Sequence, residues 1–435
     1  MTAIVGILNK RAAVMAADSA VTVNTDSGTK IYNTATKIFR LSDRHPVGVM
    51  IFESSGFMTT PWDVIFKLYK DRRGDQGFDT FEEYARNFLD FLAAENYFSG
   101  PKVQAKYLDR EMSRYYHRVK DYASDRFMEQ TEDAELTDDE TFELIRKLIR
   151  DRIADITEAA RDRGVSPEFE DYSLDDLRSI AKEQFDRLAE VCAGQEFPED
   201  LRDTWEEGFY EYIRSQLYFL GTGIVFVGYG NKDIYPSILT VYVSGAFDGR
   251  LRYHFSSEDE SDRIDHDNSA TIIPFAQADV MLTLMKGIHP NLRRMVEEKH
   301  EASLQEAKEK ILSTLKEAHC PRKIMAQVNE LDLSDVQQEY EDALDEFIQD
   351  EFVDGIVDAV NYFNIEDMVN MAESLVSVTN LQRHISSSEE SVGGPIDVAV
   401  ITRSEGFIWV KHRCLKMRKM LAEEGQCRRR GPRTQ

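Results

Sequence analysis

Cysteine is scarce in this 435-residue chain, which holds only Cys192, Cys320, Cys414 and Cys427. They are too sparse for a disulfide framework, and none forms a CxxC pair, so a structural zinc site is unsupported and reduced thiols are expected. No apolar run approaches the ~20 residues that span a bilayer, so no membrane association is expected. The first residues carry no basic group ahead of their short apolar segment and no separated cleavage region, so they do not read as a signal peptide. Basic charge is short as well: 53 Lys and Arg against 79 Asp and Glu leave a formal charge of −26. Phosphate binding needs a concentrated cationic surface, so nucleic acid is not an expected partner. No HExxH occurs, and the nine histidines are scattered. Gly221-Thr222-Gly223 and Gly228-Tyr229-Gly230 border strand-like runs rather than open a helix, which leaves a dinucleotide site unsupported. Ser54-Ser55 and Ser386-Ser387-Ser388 stand in no nucleophile elbow. The carboxylate-rich stretch from Ser257 to Asn268 lacks the glycine and closing glutamate of a calcium loop and reads as a solvated hairpin. No cofactor and no metal are implied. What remains is a soluble, acidic chain of cytoplasmic type, with 42% apolar residues and length for roughly two or three domain-sized units.

Strand-like and helical stretches alternate along it. Ala3 to Leu8 and Ala12 to Ala17 are short apolar runs separated by Asn9-Lys10-Arg11, the pattern of buried strands joined by a tight turn. Shorter runs follow around Lys37 to Leu41 and Val47 to Phe52. From Pro61 to Leu220 charge dominates and apolar residues recur at helical spacing, as in Ile145, Leu148, Ile149, Ile153 and Ile156. Thr80 with Glu83, and Ser173 ahead of a Leu-Asp-Asp turn, are helix start signals, and about five or six amphipathic helices are expected. Tyr107, Tyr115, Tyr116, Phe209 and Tyr210 are assigned to helix packing. Gly223 to Gly228 and Ser237 to Val243 return to strand pattern, and Asp248-Gly249 is a hairpin signal before the run from Arg250 to Phe255. A second helical block, about 276–380 with a break at Pro321, precedes two closing strands, Ile396 to Thr402 and Phe407 to Val410. Strands at both ends of the chain are expected in one sandwich, with helices on its outer faces and the first helical block inserted from within. Lys411 to Gln435 carries nine basic and two acidic side chains. Such a run reads as a nucleic-acid or membrane tail, or as a disordered terminus or aberrant extension, and the latter is expected.

Thr2 carries the most chemistry. Methionine before a small residue is the usual substrate of methionine removal, which would leave threonine first. A free N-terminal threonine holds a hydroxyl nucleophile and, on the same residue, an amine able to take its proton. With a pKa of about 8, that amine is partly neutral at physiological pH. A lysine ammonium nearby would lower it further, and a buried aspartate would hold the lysine charged.

Thr2 leads into a strand, a tight turn and a second strand ending Val14-Met15-Ala16-Ala17-Asp18-Ser19. This arrangement closely resembles the proteasome β-subunit family of N-terminal nucleophile hydrolases, whose mature chain opens with threonine, a strand and a V-x-A-A-D-S motif. The resemblance carries the catalytic aspartate onto Asp18 and places Thr22 where the family holds a peptide extended through backbone atoms. The family's catalytic lysine begins a short Lys-apolar-apolar strand. Lys37 in Lys37-Ile38-Phe39 matches it, with about three extra residues in the preceding loop, and Lys30 in Lys30-Ile31 is a rival. Gly223 to Gly245 resembles the family's central hairpin, and Ile272 to Phe275 its next strand. Glu389 to Gly394 resembles its closing D-x-x-S-G-G segment. The match covers the two ends and the middle, about half the chain.

Departures accompany it. The oxyanion turn, glycine-rich in the family, reads Phe52-Glu53-Ser54-Ser55-Gly56, so Glu53 brings negative charge where an oxyanion would develop. Gln277 stands where the family has a serine, Glu389 replaces the aspartate, and Val392 replaces the second serine beyond Ser391. An insertion of about 150 residues has no counterpart, and it would block ring stacking, cover the site or bind a protein partner. The resemblance implies an α+β, four-layer α/β/β/α sandwich with a helical insertion. Its core is residues 1–60 and 221–410, including the block 276–380, with the insertion at 61–220 and a basic tail at 411–435. It also implies a homo-oligomer that hydrolyses a peptide or another amide through Thr2, Asp18 and Lys37. A small-molecule amidase on this fold and a degenerate, assembly-type relative are the alternatives.

Overall fold

The computed structural model describes residues 2–25, 28–32, 35–94, 100–131, 136–193, 201–219, 221–256, 260–385 and 393–412, with 21–25, 28–32 and 188–193 as backbone alone. The chain starts with β1 (Ala3–Asn9), β2 (Ala13–Ala17), β3 (Val21–Thr25), β4 (Gly28–Tyr32), β5 (Ile38–Arg40) and β6 (Val47–Glu53). Two short strands, β7 (Gly56–Phe57) and β8 (Thr60–Pro61), lead into helices. These are α1 (Trp62–Arg73), α2 (Phe81–Ala94), α3 (Pro101–Thr131), α4 (Asp138–Asp162), α5 (Leu174–Ile180), α6 (Lys182–Ala193) and α7 (Arg202–Arg214). Strands β9 (Thr222–Gly228), β10 (Ser237–Phe247), β11 (Arg250–Phe255), β12 (Asp262–Arg263) and β13 (Ala270–Ala276) follow. Then come α8 (Asp279–Lys286), α9 (Pro290–Glu317), α10 (Arg322–Asn329), α11 (Ser334–Ile348), α12 (Asp354–Tyr362) and α13 (Ile365–Ile385). The last strands are β14 (Asp397–Thr402) and β15 (Gly406–Lys411). The result is a mixed α/β protein built on antiparallel sheets. Seven α-helices rather than five or six are described between 62 and 214, because α5 stops after seven residues and a single residue, Ala181, separates it from α6.

Two compact units divide the chain: Met1–Ala35 with Arg263–Arg403 and Ile408–Gln435, and Thr36–Asp262 with Ser404–Phe407. Strands 38–53 and 222–255 therefore group with the helices of 62–214, not with the chain ends. The physical reason is a shared core, set out below.

In the first unit the sheet order is β13-β1-β2-β14-β15, which brings both ends of the chain into one sheet. Alternate residues of each strand share one face. Ala3, Val5, Ile7, Val14, Ala16, Val398 and Val400 thus form one core with Met281 of α8, Val360 of α12 and Met368, Ala372 and Val376 of α13. The opposite positions, among them Ile4, Leu8, Met15 and Ile401, are fully buried too. Burial on both faces accounts for the unbroken apolar runs seen in the sequence. The β1–β2 turn is secured by Asn9, which is completely buried. Its side-chain oxygen Oδ1 accepts from the backbone amides of Arg11 and Ala12 at 2.9 and 3.2 Å. Its side-chain amide donates to the carbonyls of Val360 and Phe363 at 2.9 and 3.1 Å, closing the C-terminus of α12. Asn9→Leu removes the acceptor of the Arg11 and Ala12 amides and the donor to Phe363, while the Val360 carbonyl keeps the Phe363 amide, and is expected to cost about 2–4 kcal/mol of unfolding free energy, read by chemical denaturation. An unchanged denaturation midpoint would contradict this.

In the second unit the path is β11-β10-β9-β6-β5. Val47, Val49, Ile51, Ile224, Phe226, Val241 and Val243 share a core with Phe66 of α1, Phe88 of α2, Tyr107 and Tyr115 of α3 and Tyr212 of α7. An aromatic ladder joins helices to sheet: Trp62 stacks on Phe66 at 5.6 Å, Phe66 on Phe88 at 5.3 Å, and Phe88 meets Phe226 edge-on at 5.8 Å. Arg252, fully buried, donates to the carbonyls of Tyr212, Leu217 and Ser215, tying the segment after α7 to β11. The expected hairpin at Asp248-Gly249 is present with φ of 51° and 69°, the paired left-handed residues such a turn requires. Ser173 and Asp176 form a reciprocal capping box at the start of α5, and Thr137 with Glu140 forms another at α4.

Candidate active site

The site is built from the β1–β2 register outward. Ile4 pairs with Ala17, so Asp18 falls opposite Ala3, and Ala3 pairs with Ala276, so Gln277 falls opposite Thr2. Thr2 is 6% exposed. Its carbonyl accepts the Gln277 amide at 3.1 Å. The Asp18 amide donates to the Ala3 carbonyl at 3.0 Å, and the Asp18 carboxylate receives the Ala3 amide at 3.0 Å in return. That carboxylate also accepts the amides of Ala20 and Gly393, both at 3.2 Å. Asp18 is 1% exposed, so three backbone donors converge on one buried carboxylate adjoining the start of β1. Gly393 stands at φ 155° and Gly394 at 78°, and neighbouring Ser19 donates to the Pro395 carbonyl at 2.8 Å. Two segments more than 370 residues apart in sequence thus meet at Asp18.

Of the other residues singled out, Thr22 pairs with Ile31 in the β3–β4 hairpin, and Lys30 lies within β4 opposite Val23. Glu389 and Ser391, like most of the basic tail, lie outside the described residues. Lys37, Glu53 and Ser54 belong to the second unit. Lys37 immediately precedes β5, is 4% exposed, and accepts the Ile51 amide on its carbonyl at 2.9 Å. Glu53 ends β6 opposite Thr222, with φ at 69°. That left-handed backbone favours glycine, so a glutamate held there is strained. The Ser54 hydroxyl donates to the Gly56 carbonyl at 2.9 Å, closing the turn. Trp62 steadies the same turn, its indole N–H donating to Thr222 Oγ1 at 3.1 Å and its backbone amide to the Ser55 carbonyl at 3.2 Å.

Around Glu53 stands a cluster that sequence reasoning missed. The Tyr242 hydroxyl donates to Glu260 at 2.8 Å, and Ser256 Oγ donates to the same carboxylate at 2.6 Å. Glu260 lies in the stretch whose sequence reads as a solvated hairpin; a lone glutamate in an acidic stretch carries no signal that a strand tyrosine will bond it. The Glu53 side chain is exposed, yet the surrounding protein and the Glu260 charge push its carboxyl above the usual range. Tyr242 also stacks on His254 at 5.1 Å, and Tyr218 packs on that imidazole at 5.0 Å. Burial, followed by the Arg163 and Arg252 cations, pushes His254 down to about 4. The unfolded chain takes up this proton near pH 6.5 and the folded chain only near 4, so stability is present above the first value and falls as pH drops through the window. Accordingly, the melting temperature of wild type relative to His254→Phe is expected to decline between pH 6.5 and 4 and stay level above pH 7. A difference that does not vary with pH would contradict the assignment.

Among the described residues no helix is long and apolar enough to cross a membrane, and no group of three or more His, Cys, Asp or Glu could hold a metal ion. No protein-family model matches the chain, and no curated protein matches it.

Proposed function

We propose that the chain, once Met1 is removed, is an N-terminal threonine hydrolase that cleaves a peptide bond through an acyl ester on Thr2. The observation that supports it most is the convergence of three backbone amides on the buried Asp18 carboxylate beside Thr2. A residue that reacts through both its hydroxyl and its α-amine must be held in one orientation, and the fixed Ala3 amide and Thr2 carbonyl do this from either side. Thr2 Oγ would attack the scissile carbonyl carbon as the α-amine takes the hydroxyl proton. The tetrahedral oxyanion collapses, the C–N bond breaks, and the departing amine takes that proton from the α-ammonium. Water, giving a proton to the same amine, then attacks the ester, and Thr2 Oγ leaves with the proton. The role of Lys37, in keeping the α-amine neutral, rests on the resemblance alone. Support for the oxyanion turn comes from Glu53, which adopts the backbone a glycine would take. The reading brings with it the four-layer α/β/β/α sandwich, and each unit taken alone is a sheet with helices on one face, the two-layer half of that architecture.

A second reading is favoured by one observation. The Glu53 and Glu260 carboxylates raise negative potential at the turn meant to bind an oxyanion, as a catalytically degenerate relative would allow. Incubation with a threonine-directed electrophile separates the two. An adduct located by mass spectrometry on Thr2, and competed by peptides better than by small amides, is the outcome expected of the peptidase. Competition by small amides alone would point to an amidase on the same fold. Folded protein lacking Met1 that takes up no label would favour the degenerate relative.

A further inference from the structure

In the first unit, helices α9 to α11 leave an apolar surface uncovered. α9 and α10 contain no buried residue, and in α11 only Ile348 is buried. Along α11, Val336, Ala343 and Phe347 recur seven and four residues apart, which sets them in one line. Val336 is 44% and Phe347 59% exposed. The neighbouring side of α11 is already occupied by α9: Tyr340 stacks on His300 at 3.9 Å, Gln337 bonds to His300 at 2.7 Å, and Asp345 pairs with Arg293 at 2.5 Å. The stripe's other border is an acidic row of Asp335, Glu339, Asp342 and Glu346. From Glu330 to Tyr362 the sequence has twelve acidic residues and no Lys, Arg or His.

An apolar stripe with a wholly acidic border is complementary to an apolar segment studded with cations. The chain carries such a segment in residues 413–435. Leu415, Met417, Met420 and Leu421 are interleaved there with Arg413, Lys416, Arg418 and Lys419, and eight Lys and Arg against two Glu give 8 − 2 = +6. Its attachment lies in the same unit. Lys411 at the end of β15 pairs with Glu373 of α13, while His412 stacks on Trp409 at 4.0 Å and bonds to Asp397 at 3.2 Å. Extended, those residues reach roughly 75 Å, against about 42 Å for the whole of α9. A tethered segment also meets its target at an effective concentration on the order of millimolar.

We propose that residues 413–435 dock in cis on the exposed face of α11, their apolar side chains covering Val336, Ala343 and Phe347 and their cations meeting the acidic row. The docked segment hides an apolar surface that would otherwise draw a second copy. The test uses the full chain and a variant carrying Arg413→Glu, Lys416→Glu, Arg418→Glu and Lys419→Glu together. Amide hydrogen exchange across residues 334–348 is expected to run several-fold faster in the variant. Wild type should behave likewise in 1 M salt, where the Debye length is about 3 Å. In wild type at low salt, carbodiimide should couple Lys416 or Lys419 to Glu339, Asp342 or Glu346, and a mixture of light and isotopically heavy protein should give no hybrid cross-links. Unchanged exchange in the variant, or the absence of these couplings, overturns docking on this face. Hybrid cross-links overturn the cis arrangement and assign the face to a second copy.

Discussion

Thr2→Ala is expected to lower kcat/KM for amide hydrolysis by at least about a thousandfold, because it removes the nucleophile and leaves only binding and oxyanion contributions. The loss should not come from unfolding. The one described bond at Thr2 runs through its carbonyl to the Gln277 amide, and alanine keeps that carbonyl. Deleting a methyl and a hydroxyl at the start of a strand is expected to change stability by no more than about 1 kcal/mol. Thr2→Ser, which restores a hydroxyl, should recover most of the acylation. Rates from initial-velocity assays and folding from thermal melts decide the matter together. A folded Thr2→Ala protein with wild-type activity would remove Thr2 from the mechanism.

Asp18→Ala is expected to act on both stability and catalysis. It leaves the amides of Ala3, Ala20 and Gly393 buried without their acceptor, at a cost of about 1–3 kcal/mol each, so a loss of roughly 3–9 kcal/mol is expected. Asp18→Asn keeps one carbonyl oxygen but turns an N–H pair toward backbone donors, so it should fall between alanine and wild type in denaturant titrations. It keeps the shape of the site, which makes it the cleaner probe of catalysis. If both variants unfold at the wild-type denaturant concentration, the three-amide cradle does not stabilise the strand start.

Much of the frame was legible because it is local. The runs Ala3 to Leu8 and Ala12 to Ala17 became β1 and β2, Asp248-Gly249 became the left-handed turn, and Ser173 capped a helix. What was not legible depends on distant partners. Nothing near Asn9 shows that it closes α12, and nothing near Asp18 shows that Gly393 will donate to it. The grouping of β5, β6 and β9 to β11 with the first helical block was hidden for a related reason. Alternating strand residues reveal which side is apolar, but not which apolar partner fills it. The exposed stripe of α11 looked like any amphipathic helix, since burial and exposure leave the same periodic mark.

The central claim, that the reacting residue is an N-terminal threonine, is tested most directly by mass-spectrometric mapping of the N-terminal peptide in catalytically active protein. The account predicts a chain that begins at Thr2, with a free α-amine and no methionine. Active protein that retains Met1 on every chain would contradict it, because the amine that must take the hydroxyl proton would be locked in a peptide bond.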